Sequence, residues 1–218
     1  MMKVFNEPKI NEWASIIERP SIDAAQLNDN VRDIIEEVIA GGDAAIKKIT
    51  LQFDRVSINE LKVTAEKIAA AENLLTPGLK TAIQLAKVNI EIFHNSQIQK
   101  VERIETMPGV WCWRKSVGIE KVGIYIPGGS APLFSTVLML GIPAKIAGCK
   151  EVILCTPPNE QGDIHPAILY AASLVGVTAI YSVGGAQAIA AMAYGTATIP
   201  KVHKIFGPGN QYVTCAKQ

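Results

Sequence analysis

Four turns in the second half of the chain concentrate the residues that could do chemistry. They are Pro127-Gly128-Gly129-Ser130, Thr156-Pro157-Pro158, Gly184-Gly185-Ala186-Gln187 and Gly207-Pro208-Gly209-Asn210, each placed after a short apolar run. Glycine lets the backbone approach a ligand closely and reach dihedrals that a Cβ forbids. A helix starting after such a turn presents free N–H groups and about half a positive charge. The combination favours a phosphate-bearing or otherwise anionic ligand. Gln187 and Asn210 stand at equivalent places, each just after a glycine turn. Their amides both donate and accept, which suits a ribose, a phosphate or a nicotinamide amide. Tyr125 lies near the end of "VGIYIPGG". Each feature also has a plainer reading. The glycines could simply make tight turns, Asn210 could cap a helix, which Asn does well and Gln poorly, and Tyr125 could be a core aromatic with a partnered hydroxyl. The GxGxxG fingerprint is not met, because "GPGNQY" has Tyr212 where the last glycine should stand.

These turns need a scaffold that brings them to one edge. The apolar cores "VGIYI", "EVILC", "TAIYSV" and "HKIFG" are centred on Ile124, Ile153, Ile180 and Ile205, at spacings of 29, 27 and 25 residues. Such spacing suits successive βα units, and near-continuous apolar strands suit a parallel sheet covered on both faces. The intervening helices are predicted over 133–147, 166–176 and 186–195. The fold class is therefore α/β, a Rossmann-like parallel sheet with helices on both faces, and its ligand is expected beyond the strand C-termini. A helix-rich region precedes it. Ser21 caps "SIDAAQLNDNVRDIIEEVIAGG", which Gly41-Gly42 stops, and Asp43 is placed to cap "DAAIKKITLQFD". Thr76-Pro77 supplies an N-cap and N1 proline for a long helix through His94. "VERIETMPGVWCWRKSVG" reads as extended connecting structure with a hairpin. Charge divides the chain in the same way: residues 1–120 hold 32 charged residues and residues 121–218 hold 9. The expected organisation is thus 1–120 as the helix-rich part of the first domain with its connecting strands, and 121–218 as a Rossmann-like dinucleotide domain.

Bulk properties narrow the class. The chain has 218 residues, 49% apolar and 19% charged, enough to bury a substantial core. A net charge of +1 gives no reason to expect nucleic acid. Residues 166–200 carry no charge, but Gly184-Gly185 and scattered Ser, Thr and Gln make a strand, turn and helix a better reading than a membrane span. No apolar h-region opens the chain, and four cysteines without a CxxC pair read as reduced thiols, so a cytoplasmic location is expected. His94, His165 and His203 lack metal-ligand spacing and read as solvated or capping residues. Cys149 and Cys155 flank the second strand without a histidine in an adjacent motif, which argues against a nucleophilic thiolate.

"VGIYIPGGSAPLFSTVLMLGIPAKIAGCKEVILCTPP", "VGGAQAIAAMAYGT" and "VHKIFGPGNQYVTCAK" resemble the histidinol dehydrogenase family. The resemblance implies an aldehyde-dehydrogenase-like fold and oxidation of L-histidinol to L-histidine through an aldehyde, with NAD, as the last step of histidine biosynthesis. It also implies a zinc-dependent homodimer. Matched by motif, it assigns NAD contacts to Tyr125, Gln187 and Asn210. No catalytic and no metal-binding residue is assigned in this sequence, because the family's zinc ligands, substrate contacts and Glu-His pair come later than Gln218. The chain therefore resembles an N-terminal half of that enzyme. A stand-alone nucleotide- or phosphate-binding module without catalysis is the alternative. Residues 1–218 alone are expected not to oxidise histidinol. NADH absorbance, followed with zinc, NAD+ and histidinol beside the longer enzyme, tests this. Turnover within about tenfold would place the catalytic groups in this half.

Overall fold

The computed structural model of the protein describes residues 3–18, 24–129 and 131–218. The expected Ser21 cap and the Ser130 end of the first glycine turn lie outside the described residues. A short helix α1 spans Ile10–Ile17, which the sequence pattern did not suggest. After it come α2 (Ala24–Asp54), α3 (Ala65–Ala70) and α4 (Pro77–Asn95). The hairpin follows as β1 (Ile104–Met107) and β2 (Val110–Cys112), paired antiparallel. The remaining elements alternate: β3 (Lys121–Tyr125), α5 (Phe134–Ile146), β4 (Glu151–Thr156), α6 (Pro166–Val175), β5 (Ala179–Ser182), α7 (Gly185–Tyr194), β6 (Lys204–Phe206) and α8 (Gln211–Ala216). The three helices expected between the strands are found within one residue of their predicted bounds.

The four strands form one parallel sheet in the order β5-β4-β3-β6. The spaced isoleucines lie in adjacent strands: Ile153 and Ile205 both pair with Gly123, and Ile180 pairs with Leu154. After β5 the chain returns past β4 and β3 to lay β6 on the far side of β3. Right-handed crossovers then send α5 and α6 to one face and α7 to the other. Local chemistry fixes the helix ends. Thr76 Oγ1 accepts from the Leu79 N–H with Pro77 at the first turn of α4, and His165 Nδ1 accepts from the Ala167 N–H to open α6.

Side chains alternate between two cores. Val122, Ile124 and Leu154 point towards α5 and α6, with Ile83 of α4 in the same cluster. Tyr125, Ile153, Cys155 and Tyr181 point the other way, against α7, Val213 of α8, and Val38, Ile46 and Ile49 of α2. Ile46, Ile124, Ile153 and Ile189 are fully buried, and each such side chain stabilises by about 1.5–3 kcal/mol. The α7 layer sits very close to the sheet. A Cβ on Gly123 would lie 2.6 Å from Met192 Sδ.

One feature of the N-terminal helices differs from expectation. Gly42, at φ 52°, breaks the regular helix and a second helical stretch follows at once, both as anticipated. Asp43 does not serve as a free cap. Its carboxylate accepts from both the backbone N–H and the hydroxyl of Thr198, 155 residues away, in the loop that enters β6. The second half of α2 therefore starts at the N-terminal edge of the sheet. Its far end lies at the C-terminal edge, where Val56 meets Gly162 in the loop after β4. The chain then adds a short antiparallel edge to β5, with the Val63 N–H donating to the Ile180 carbonyl and the Ser182 N–H donating to the Leu61 carbonyl.

Burial pushes the Asp43 pKa up, but bonds from the Thr196 and Thr198 side chains and the Thr198 backbone, with the Lys47 charge, outweigh it and leave the pKa below the ordinary value. A lowered folded pKa stabilises above the unfolded pKa of ~4 and is lost as pH falls through the folded value. Asp43→Asn should cost roughly 1–2 kcal/mol at neutral pH. The Tm gap from wild type should narrow near about pH 3. An equal gap at both pH values would rule out the ionised carboxylate as the source.

Candidate functional site

The edge of the sheet beyond the strand C-termini carries the four turns noted in the sequence. Pro157, after β4, lies between two of the glycine turns. A Cβ on Gly128 would come within 2.7 Å of its Cγ, and one on Gly184 within 2.5 Å of its Cβ. The turns after β3, β4 and β5 therefore interlock. The fourth turn joins them through backbone contact: Gly207, at φ 134°, lies so close to β3 that a Cβ would sit 2.1 Å from the Tyr125 carbonyl oxygen. No other residue type fits there. Lys217 of the last turn donates to the Gly207 carbonyl and holds this loop against α8. The order of the sheet reverses between β3 and β6, the place where an open α/β sheet leaves a ligand crevice.

Tyr125 is 3% exposed, and its hydroxyl accepts from the Gly185 N–H at 3.0 Å. Burial pushes its pKa up, the Gly185 bond opposes this, and negative charge on Asp54 adds to the rise. The phenol stays protonated and keeps one O–H to donate. The "partnered core aromatic" reading and the ligand reading are therefore compatible. Gln187 is the third residue of α7 and is 3% exposed. Its side chain folds back over the first residue, so that a Cβ on Gly185 would lie 2.4 Å from Oε1. Tyr125, Gly185 and Gln187 thus form one contiguous group at the N-terminus of α7.

Asn210 occupies a different position. It is the N-cap of α8, and its Oδ1 accepts from the Val213 N–H at 3.1 Å. The capping reading holds for this residue and commits its oxygen, while Nδ2 is the atom left to donate. The structure links it to Tyr125 through the Gly207 turn, with no direct bond to Gln187.

The other residues weighed for chemistry lie outside this group. His165 caps α6, His94 pairs through Nδ1 with Gln97 Oε1, and His203 is exposed at the entry to β6. Cys155 is fully buried, and burial pushes its thiol far above the range in which a thiolate forms near neutral pH. Among the described residues no three His, Cys, Asp or Glu side chains come together, and no helix is long and apolar enough to cross a membrane.

One residue escaped the sequence reading. Asp54 ends α2 close enough to Tyr125 for its charge to act on the phenol, and its Oδ2 is buried without a hydrogen-bond partner. The available signal was an acid as the last residue of a helix, where the dipole disfavours it.

Comparison with known proteins bears on this crevice. A family model described as histidinol dehydrogenase matches residues 17–218. Histidinol dehydrogenase of Bacteroides thetaiotaomicron is 59% identical over 218 residues, covering 100% of this chain and 51% of that protein. That of Shigella sonnei is 50% identical over 215 residues, covering 98% and 49%. The crystal structure of histidinol dehydrogenase from Elizabethkingia anophelis is 53% identical with a TM-score of 0.88, covering 97% of this chain and 49% of that one. The chain spans about half the length of the curated relatives it matches.

Removing the Tyr125 hydroxyl tests the link between β3 and α7. Tyr125→Phe should cost roughly 0.5–1.5 kcal/mol, the worth of one intramolecular hydrogen bond. For a chain of this size that lowers Tm by about 2–4 °C per kcal/mol. An unchanged Tm would mean that water replaces the phenol at the Gly185 N–H without loss.

Proposed function

Because the chain belongs to the histidinol dehydrogenase family, we propose that it forms the dinucleotide-binding part of an NAD-dependent enzyme that oxidises L-histidinol to L-histidine through the aldehyde. The complete gene product is then a cytoplasmic oxidoreductase of histidine biosynthesis, assembled as a homodimer. The observation that carries the cofactor assignment is the Tyr125-Gly185-Gln187 group. It places a helix N-terminus, a protonated phenol and an amide at the mouth of a parallel sheet.

NAD fits the residues present. With the Gly185 N–H held by Tyr125, the first turn of α7 offers the positive end of the helix dipole to a diphosphate. Glycines at 184, 185 and 207 let the turns pack against Pro157, Gln187 and the Tyr125 backbone, which draws the three turns together. Tyr125 fixes the turn by accepting from Gly185 and, as a protonated phenol, keeps one O–H to donate. Gln187 supplies both a donor and an acceptor, and Asn210 supplies a donor through Nδ2. NAD+ supplies the hydride acceptor, and this chain's residues hold and orient it. Zinc does not fit the described residues, which bring together no set of three ligands, and no step through a metal is derived.

The test uses variants of the complete gene product. Gln187→Ala should raise the dissociation constant for NAD+ about threefold to tenfold, as expected for one lost bond of roughly 0.5–1.5 kcal/mol. Asn210→Asp separates the two roles of that side chain. It keeps an oxygen to cap Val213 but replaces the Nδ2 donor with an acceptor, so NAD+ affinity should fall while Tm holds. Unchanged NAD+ binding in both variants would leave only packing and capping roles for these amides.

A further inference from the structure

We propose that Asp54 is a ligand-contacting residue of this crevice, its carboxylate accepting hydrogen bonds from the hydroxyls of a ribose and thereby selecting against a phosphorylated one. The inference rests on the dinucleotide reading above and deepens it. Three independent observations place the residue. Asp43 anchors the start of the second half of α2 to the loop entering β6, at the N-terminal edge of the sheet. Val56, two residues past the helix end, has its Cγ1 3.6 Å from where a Cβ on Gly162 would stand, in the loop after β4 at the opposite edge. The Asp54 charge acts on the Tyr125 phenol, on the same face as α7 and α8. Asp54 therefore stands at the C-terminal edge of the sheet, on the side of Tyr125.

Its condition is costly for a structural residue. Oδ2 is buried with no hydrogen-bond partner. Burial alone pushes the carboxyl pKa up, and the C-terminal end of a helix is the wrong end for an anion. Arg55, directly after it, adopts φ 59°, a left-handed conformation uncommon for a residue with a side chain. Such unfavourable arrangements concentrate where a ligand completes them.

The chemistry of the missing partner follows from the group itself. An ionised carboxylate only accepts, so the partner must donate. A phosphate carries negative charge and would be repelled. A ribose diol offers two adjacent O–H donors that match two carboxylate oxygens, the pairing by which an acid reads the ribose of a bound dinucleotide elsewhere. A dinucleotide carries two riboses, and NADP+ differs from NAD+ only by a phosphate on one of them.

The test measures binding of NAD+ and of NADP+ by calorimetry to the complete gene product, as wild type, Asp54→Asn, Asp54→Ala and Gln187→Ala. Both Asp54 variants should weaken NAD+ by about tenfold or more, since bonds to a charged group are lost. Their ligand-free Tm should equal or exceed wild type, because a buried unpaired charge has been removed. If the preference for NAD+ over NADP+ also shrinks, the ribose read is the adenosine one. If it persists while NAD+ binding weakens, the ribose contact stands but selection against a phosphorylated ribose by Asp54 is overturned. NAD+ affinity within about twofold of wild type in both Asp54 variants, with Gln187→Ala weakened, overturns the role of Asp54 and leaves the cofactor site standing. A lower ligand-free Tm in both variants without selective loss of NAD+ also overturns it. Wild type that binds no NAD+ at all removes the cofactor reading, and this inference with it.

Discussion

The hydrogen bond from the Gly185 N–H to the Tyr125 hydroxyl joins the two elements on which the crevice depends. It links the end of β3 to the start of α7 across 60 residues of sequence, with Tyr125 buried and Gly185 partly buried. In such surroundings an unpaired backbone N–H costs free energy comparable to the bond itself. The positions of Gln187 and of the α7 dipole follow from it. Tyr125 also presents its main chain to Gly207, so β6 and the start of α8 are set by the same residue. One tyrosine thus fixes the helix at one side of the crevice with its side chain and the fourth turn with its backbone.

The parallel sheet was legible because strands buried on both faces are nearly continuous apolar runs. "VGIYI" and "EVILC" carry little else, and the glycines after them mark where each strand ends. Thr76-Pro77 announced α4 for an equally local reason, a side-chain oxygen and a residue that needs no N–H donor partner. Contacts between distant parts of the chain were not legible. Asp43 precedes a helix and carries an ordinary capping side chain, yet it is used by Thr198. Leu61-Lys62-Val63 is too short and too mixed to announce a strand, and only the open edge of β5 gives it a partner.

The crevice was legible in the same uneven way. The amides after the glycine turns stood out by position, but their different states did not. Asn210 has one atom committed to a cap, whereas Gln187 is folded over the first residue of its own helix. Asp54 gave almost no signal, because what distinguishes it is the absence of a partner in three dimensions. Residues satisfied by their neighbours announce themselves through local pattern. A residue left unsatisfied does so only through the fold around it.

The close approach of α7 to β3 at Gly123 and Met192 has a mechanical consequence. Five of its ten residues, "GAQAIAAMAY", are alanine, and the Met192 side chain fills the space that Gly123 leaves on β3. A layer this thin has little compliance, and close-packed interiors transmit displacement rather than absorb it. The pitch of the helix, and with it the aim of its first N–H groups, is set where Met192 meets Gly123. The geometry of the glycine turns is therefore gauged by the smallest residue of β3, at a distance from the turns themselves.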